Sequence, residues 1–119
     1  MRLNRCNQLI GNLAGKVFVS GQDADLRAVI NIAQGTQSMT VYKPITNEAA
    51  VAAEEAVRLA KGEKTRANKT VNNGKVDVPA ILLKPIEVTR GNIKETVVKD
   101  GFQTLKSINQ ALPVEQQIK

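Results

Sequence analysis

The sequence contains no histidine and no tryptophan, and it has a single cysteine. Without His, the usual general base near neutral pH, the Ser-His-Asp and Cys-His pairs, and the commonest nitrogen ligand of zinc are all missing. Cys6 alone cannot form an internal disulfide or a cysteine-rich metal site. We therefore expect no enzyme activity, no metal and no cofactor, and we expect Cys6 to be a half-buried or frayed thiol.

Aromatic residues and long apolar stretches are also scarce. The aromatics are Phe18, Tyr42 and Phe102, so the core must be built from Val, Ile, Leu and Ala. No stretch approaches the roughly 20 apolar residues that cross a bilayer, which predicts no membrane insertion. Residues 7–16 are too polar for the apolar region of a secretory signal, so the chain as written is expected in the cytoplasm.

The net charge of +6 is concentrated in residues 58–75, which contain six Lys/Arg and one Asp/Glu. This run follows a predicted helix, where cations interact favourably with the helix C-terminus. A nucleic-acid surface would interleave aromatics or glycine-rich platforms with the basic residues, and none occur here. The run therefore predicts a solvated loop and no nucleic-acid partner. Its cations are Arg58, Lys61, Lys64, Arg66, Lys69 and Lys75.

The 119 residues suit one compact or oligomer-dependent unit, and the first part reads as a β-α-β unit. Residues 16–20 form a β-branched run between two glycines and predict a buried strand. A helix is predicted over residues 26–34, with Asp25 as its N-cap and Gly35 as its stop. Residues 38–43 predict a second strand. If the two strands share a sheet, they should be parallel.

The strongest helix signal opens at Thr46 or Asn47 and runs to Lys61, with Gly62 after its end. Its small residues should let it approach a sheet closely. The Asn-Asn-Gly sequence at 72–74 predicts a tight hairpin. This small-residue face consists of Ala49, Ala53, Ala56, Val57 and Ala60.

Beyond the hairpin, residues 80–83 predict a strand that continues over 86–88 after Pro85. An Asn92-capped helix is then expected over 93–99, followed by a weak helix over residues 102–112. Pro113 should end it, and residues 114–119 should fray.

Polar residues follow both strands of the predicted β-α-β unit. In an open α/β sheet, ligands bind beyond the carboxyl ends of the strands. Gln22 and Asp23 follow the first strand, and Lys43 ends the second. One carboxylate and one ammonium at a shared edge suit a polyhydroxylated ligand. Two alternatives remain open: Asp23 could cap the helix in place of Asp25, and Lys43 could be an ordinary exposed strand-end lysine.

Glu54 and Glu55 are a weaker candidate for chemistry. Adjacent helical residues point about 100° apart, so these carboxylates do not form an acid-base pair. We expect them on a solvated face.

Five segments together resemble the C-terminal part of bacterial D-xylose-binding proteins, which are periplasmic sugar-binding proteins of ABC importers and relatives of ribose-binding protein. The similarity runs in order over about residues 13–102 and covers less than half of such a protein. The segments are LAGKVFVSGQDADL (13–26), GTQSMTVYKPIT (35–46), VNNG (71–74), LKPI (83–86) and NIKETVVKDG (92–101).

The resemblance implies an α/β fold that is part of a periplasmic-binding-protein fold: a truncated doubly wound sheet in β-α-β-α-β-α order. Residues 13–43 would belong to the C-terminal sugar-binding lobe and residues 44–84 to the N-terminal lobe. The chain would return to the C-terminal lobe over 85–119. Residues 1–12 do not resemble the family.

The resemblance also implies that Asp23 and Lys43 contact D-xylose or a related pentose, with Gln22 as a weaker contact. It implies a periplasmic location and an ABC transporter permease as partner. The aromatics that stack on the sugar in the family are missing, so binding by this chain alone should be weak. Unpaired edges and apolar faces predict a homo-oligomer. The alternative function is a self-associating or sensor-interacting module with a vestigial sugar site.

Overall fold

The computed structural model describes residues 13–119, so the expectations for Cys6 and for residues 1–12 lie outside it. The chain divides into two compact units. The central unit is residues 44–84, and the split unit is the described residues up to Lys43 together with 85–119. Within residues 13–119, no helix combines the length and apolar character needed to traverse a bilayer.

The protein has an α/β fold with two small antiparallel sheets. In the split unit, β1 pairs with β4, and in the central unit β2 pairs with β3. The elements in chain order are α1 (Leu26–Gln34), β1 (Thr40–Tyr42), α2 (Ile45–Ala60), β2 (Lys69–Asn72), β3 (Asp77–Ala80), β4 (Ile86–Val88), a π-helix (Lys94–Val98), α3 (Leu105–Asn109) and a 3-10 turn (Val114–Gln116).

Helix α1 confirms the prediction for residues 26–34 at both ends. The Asp25 carboxylate accepts a hydrogen bond from the Ala28 amide at 2.7 Å, which satisfies a donor that the first turn leaves unpaired. Gly35 ends the helix with φ of 77°, a conformation that glycine adopts without steric cost. The helix is buried over most of its length, from Ala28 to Ala33.

The strand predicted over residues 16–20 is wrong in position. Val17 and Phe18 are exposed, Phe18 by 77%, and the Lys16 and Val17 amides donate to the Leu13 carbonyl in a turn. Extended pairing with the β1 segment begins only at Val19, whose carbonyl accepts from the amides of residues 38 and 39. A parallel bridge then joins Gln22 to Val41. The predicted parallel pairing is present, but it starts about three residues later than predicted. The backbone of the first segment forms hydrogen bonds with the β1 segment only from Val19 onward.

The predicted strands over residues 38–43 and 86–88 are confirmed as β1 and β4, the first with narrower bounds. The strand predicted over 80–83 is wrong beyond Ala80, where β3 ends. The Asn68 side chain explains this end: its Oδ1 accepts from the Leu82 amide at 2.9 Å and its Nδ2 donates to the Leu82 carbonyl at 3.1 Å. The Asn68 side chain therefore occupies the Leu82 amide and carbonyl, which would pair with a neighbouring strand if β3 continued.

The C-terminal part differs from the prediction in two ways. A π-helix replaces the α-helix expected over 93–99, and Asn92 does not cap it. Asn92 instead closes the preceding turn by bonding to the Thr89 amide and the Glu87 carbonyl. The tail does not fray either, since Ile118 packs against the core and exchanges two hydrogen bonds with the Asn109 side chain.

One hydrophobic core lies within the split unit, where α1, β1, β4, the π-helix and α3 contribute its side chains. Its largest fully buried members are Tyr42, Ile32, Ile93, Ile108, Val29, Val88 and Val97. Because Tyr42 and Thr40 are both buried on β1, the end of this strand is anchored immediately before Lys43.

The central unit contains helix α2 and a hairpin. Gly62, with φ of 74°, follows α2, and the amides of Gly62 and Glu63 donate to the carbonyls of Leu59 and Arg58. This pair of bonds is a Schellman motif, as a glycine in the C′ position predicts. The hairpin is confirmed, with a four-residue loop over 73–76 between paired Asn72 and Asp77.

The small-residue face of α2 does not pack on a sheet, which corrects the prediction for this helix. None of residues 44–84 is buried. The local signals that favour this helix are its Ala-rich sequence and its C-terminal glycine. The two short strands of the same unit are themselves exposed, so they offer it no buried surface.

Candidate ligand-binding site

An acidic and a basic side chain meet where β1 ends. Asp23 follows the extended segment that bridges β1, and Lys43 directly follows β1. The Lys43 Nζ lies 2.7 Å from Asp23 Oδ1, and the two side chains are 40% and 68% exposed, respectively. Gln22, the weaker candidate, is an exposed residue whose backbone bridges Val41. The structure therefore brings the sequence-predicted residues to one edge.

The alternative role for Asp23 as the helix cap does not hold, because the carboxylate that caps α1 belongs to Asp25. Lys43 is a partly exposed strand-end lysine whose ammonium pairs with Asp23. The pair is solvent-accessible, and exposed ion pairs of this kind contribute only about 0.2–1 kcal/mol. Its charges remain accessible to a ligand.

The backbone at Asp23 has an unusual conformation. Asp23 has φ of 79° and Ala24 has φ of 49°, so two successive residues with side chains occupy the left-handed region. Aspartate tolerates this region better than alanine does. Such residues cost on the order of 1–3 kcal/mol each, which exceeds what the exposed ion pair supplies. The ion pair is therefore not what holds this turn.

Buried hydrogen bonds hold it instead. The Ala24 amide donates to Thr40 Oγ1 at 3.3 Å, and the Ala24 carbonyl accepts from Gln103 Nε2 at 3.2 Å. The Asp23 amide donates to the Val41 carbonyl at 2.8 Å. Ala24 and Thr40 are fully buried, so these groups have no access to water as an alternative partner.

Sequence reasoning missed both Thr40 and Gln103. Thr40 could have been suspected, because it alternates with Tyr42 on β1 and therefore lies on the buried face as a polar residue. Gln103 lies 79 residues from Ala24 in the chain, and no local pattern marks it.

Gly21 precedes this turn and lies close to Gln37 and Thr40. A Cβ at residue 21 would collide with Gln37 Nε2 and approach Thr40 Oγ1 to 3.4 Å. Gln37 is itself buried, and its Nε2 donates to the Met39 carbonyl at 2.9 Å. A side chain at residue 21 would therefore force the end of the buried Gln37 side chain to move away from the Met39 carbonyl.

Tyr42 forms the buried support beside Lys43. It is 2% exposed, and its ring centroid lies 5.1 Å from that of Phe102, with the planes tilted by 37°. Burial raises the pKa of Tyr42, and the Asp100 carboxylate, which accepts a hydrogen bond from the phenol, raises it further. Both effects disfavour the phenolate form of Tyr42.

The titration of Tyr42 can be followed by near-ultraviolet absorbance, because the chain has no other tyrosine and no tryptophan to overlap the signal. Its pKa in the folded chain is raised above the unfolded value near 10. The corresponding stability is fully present below that unfolded pKa, and it is lost as pH rises through the folded pKa. We expect near-ultraviolet absorbance to show phenolate formation at higher pH in the native chain than in urea. Asp100→Asn should narrow the difference, and coinciding titrations of native and unfolded chain would contradict it.

A second charged cluster, in the central unit, surrounds Glu55. The Glu55 side chain is only 13% exposed, so the expectation of a solvated face is wrong for this residue. Its Oε1 lies 3.4 Å from Arg66 Nε and 3.9 Å from Arg58 Nε, and its Oε2 accepts from the Arg66 amide. Glu54, 63% exposed, pairs with Arg66 at 3.0 Å. The cluster fastens the segment after α2 to the helix.

Two cations of the basic run, Arg58 and Arg66, are therefore bound to glutamates rather than directed together at a ligand; Arg58 also pairs with Glu63 at 3.0 Å. Across residues 13–119, no three His, Cys, Asp or Glu side chains are grouped so as to hold a metal ion.

Comparison with known proteins places this site in context. No protein-family model matches the chain. It is 60% identical over 96 residues to a D-xylose-binding periplasmic protein from Haemophilus influenzae, covering 81% of this chain and 29% of the relative. It is also 60% identical over 90 residues to the protein of that name from Escherichia coli, covering 76% of this chain and 27% of the relative. The chain thus spans less than a third of the length of these relatives.

A more distant relative, the multiple sugar-binding periplasmic protein SbpA of Azospirillum brasilense, is 43% identical over 88 residues, which cover 72% of this chain and 24% of the relative. All three relatives are sugar-binding periplasmic proteins by name.

Solved structures agree with the sequence relatives. A carbohydrate transporter solute-binding protein from Chloroflexus aurantiacus, in complex with D-glucose, has a TM-score of 0.70 and 39% identity; the match covers 76% of this chain and 26% of that one. An ABC transporter solute-binding protein from Clostridium phytofermentans, at 23% identity and a TM-score of 0.72, supports the fold; it covers 88% of this chain and 42% of that one. The predicted resemblance and the α/β fold class are confirmed: most of the chain is similar in sequence to a portion of the D-xylose-binding periplasmic proteins, and its fold is similar to part of the solved sugar-binding proteins.

Proposed function

We propose that the edge formed by Asp23 and Lys43 is one wall of a binding site for D-xylose or a related pentose. Gln22 lies beside the pair as a weaker contact. The function served would be substrate recognition for an ABC sugar importer in the periplasm, with the permease as partner. The observation that supports the proposal is the 2.7 Å approach of the two side chains at an exposed strand end, in a chain 60% identical to D-xylose-binding proteins.

The chemistry of the pair suits adjacent hydroxyl groups. A carboxylate accepts hydrogen bonds from two neighbouring hydroxyls, and a lysine ammonium donates to a ring or hydroxyl oxygen. Each charge-assisted bond contributes about 1.5–3 kcal/mol. Asp23 is 68% exposed, so its oxygens are accessible to a sugar while Lys43 remains nearby.

The same exposure limits the affinity. Small-ligand sites gain affinity by burying most of the ligand surface, and association itself carries an entropic cost. Two charged side chains on an open edge do not enclose a pentose. We therefore expect this chain alone to bind D-xylose weakly, with a Kd of about 1 mM or higher.

The two units fit the proposed assignment to two lobes. We assign the split unit to the C-terminal sugar-binding lobe and the central unit to the N-terminal lobe. The support is that the split unit contains its own core and both site residues.

The proposed site is tested by titrating the isotopically labelled full chain with D-xylose and following amide NMR shifts. We expect saturable shifts confined to residues near Asp23 and Lys43, and at least a tenfold loss of affinity in Asp23→Asn, because one charge-assisted acceptor is removed. Glu54→Gln, which neutralises the carboxylate of another exposed ion pair, is the matched control and should titrate like the parent chain. Equal titration of the Asp23 and Glu54 variants would overturn the proposal.

A self-associating module with a vestigial sugar site is a second candidate, and one observation favours it. The central unit buries none of its residues, and it exposes several large apolar side chains. Exposed apolar surface of this kind favours association. These side chains are Ile45, Val57, Leu59, Val71, Val76, Val78 and Leu82.

Self-association is measured by light scattering coupled to size-exclusion chromatography over a range of concentrations. The dimer fraction should rise with concentration, and Leu59→Lys should reduce it because a charge is placed on the exposed apolar surface. A matched exposed substitution in the basic segment, Lys64→Ala, should leave the fraction unchanged. A folded monomer at the highest concentration would contradict this second candidate.

A further inference from the structure

The turn that carries Asp23 is held by side chains that lie far from it in the chain. We propose that Thr40 and Gln103 are positioning residues that set the direction of the Asp23 carboxylate. This inference rests on the proposed sugar site for its functional meaning, although its structural part stands without it.

The backbone of Ala24 is the point at which they act. Ala24 is fully buried in the left-handed conformation, so both of its peptide groups need partners within the protein. Thr40 Oγ1 accepts from its amide and Gln103 Nε2 donates to its carbonyl. Helix α1 does not supply these partners. Its N-cap is Asp25, so Ala24 lies outside the helix.

Thr40 and Gln103 are also connected through the structure to Lys43, the second charged residue of the proposed site. Thr40 lies on β1, three residues before Lys43, so the strand that presents the ammonium also holds the turn of the carboxylate. Gln103 follows Phe102, whose ring packs on Tyr42, the residue before Lys43. We therefore expect a shift of either support to change the distance between the Asp23 carboxylate and the Lys43 ammonium.

Loss of the hydrogen bond between Ala24 and either Thr40 or Gln103 removes an interaction that holds Asp23 and Ala24 in the left-handed conformation. With Thr40 Oγ1 absent, the buried Ala24 amide is left unpaired, which is unfavourable. The backbone can then relax toward the ordinary negative φ region, since alanine prefers that region. Such relaxation turns the preceding Asp23 side chain away from Lys43.

The experiment compares four variants of the full chain: Thr40→Val, Gln103→Leu, Thr40→Ser and Thr96→Val. Thr40→Ser keeps the hydroxyl and should behave as the parent. Thr96→Val is the matched control, because Thr96 is also buried and its hydroxyl also bonds to a backbone group, that of Asn92. The first readout needs no sugar: amide-to-Hα couplings and intraresidue NOEs report φ at Asp23 and Ala24, and NOEs report the proximity of the Asp23 and Lys43 side chains.

We expect Thr40→Val and Gln103→Leu to lose the left-handed signature and the Asp23–Lys43 proximity, while the two other variants keep both. In the D-xylose titration the same two variants should bind about three- to tenfold more weakly, the effect of one hydrogen bond. That difference should vanish in an Asp23→Asn background.

The outcomes separate the two proposals. If the turn in Thr40→Val and Gln103→Leu is unchanged, or if Thr96→Val disturbs it equally, the positioning role is overturned whatever the sugar does. If the turn changes as expected but no variant, including the parent, responds to D-xylose, the positioning role is supported and the sugar site fails.

Discussion

Replacing Tyr42 with alanine is expected to lower the free energy of unfolding of the split unit by about 3–5 kcal/mol, the range for removal of a buried aromatic side chain. Tyr42 is 2% exposed and belongs to the one core cluster of this unit. Its ring also packs against Phe102, so truncation leaves a cavity and removes an aromatic pair. Urea denaturation followed by circular dichroism measures the change.

Tyr42→Phe is the matched control. It retains the ring and removes the hydroxyl that bonds to Asp100. Because Asp100 is an exposed residue, water can replace the lost partner, and the expected cost is about 0.5–1.5 kcal/mol. If the alanine variant were no less stable than the phenylalanine variant, the ring would not be a core member.

Elements with strong local signals could be predicted from the sequence. Helix α1 has a capping aspartate, a glycine stop and an apolar periodicity, and its observed bounds match the prediction. The hairpin follows the Asn-Asn-Gly signal, and α2 ends at the glycine that the sequence marks. These signals act within a few residues, so they do not require knowledge of the rest of the fold.

Elements that depend on distant partners could not be predicted in the same way. Val17 and Phe18 are β-branched and aromatic, yet they form no strand, because pairing with the β1 segment starts at Val19. Residues 81–83 are apolar, but the Asn68 side chain bonds to both the amide and the carbonyl of Leu82. The tail is ordered because Asn109 binds Ile118. In each case a partner outside the segment itself decides the outcome against local propensity.

The site shows the same division. Asp23 and Lys43 could be placed together from the sequence, since ligands bind where strands end in an α/β sheet, and their side chains do meet. The support at Gln103 could not be predicted, because 79 residues separate it from Ala24 and no local pattern marks it. Thr40 is marked as a buried polar residue by its alternation with Tyr42, but its bond to the Ala24 amide is visible only in the fold.

Gly21→Val is the second change for which we expect a large effect. The new Cβ would collide with Gln37 Nε2, and the γ carbons would add to the crowding near Thr40. Overpacking costs about 1–3 kcal/mol. Displacing Gln37 from the Met39 carbonyl leaves buried polar groups unpaired, at about 1–3 kcal/mol more. We expect a total loss of about 2–6 kcal/mol in the free energy of unfolding, measured by urea denaturation.

Gly91→Val isolates the cause of that loss. A Cβ at Gly91 meets nothing closer than Thr89 Oγ1 at 3.9 Å, so the same substitution there should change stability by less than about 0.5 kcal/mol. Gln37→Ala should also make a second glycine variant, Gly21→Ala, less costly, because the colliding amide is removed. A Gly21→Ala effect that is independent of residue 37 would show that the lack of a side chain at 21 serves backbone flexibility and not close approach. That result would mean that close packing of the Asp23 segment against residues 37–40 does not explain the glycine at position 21.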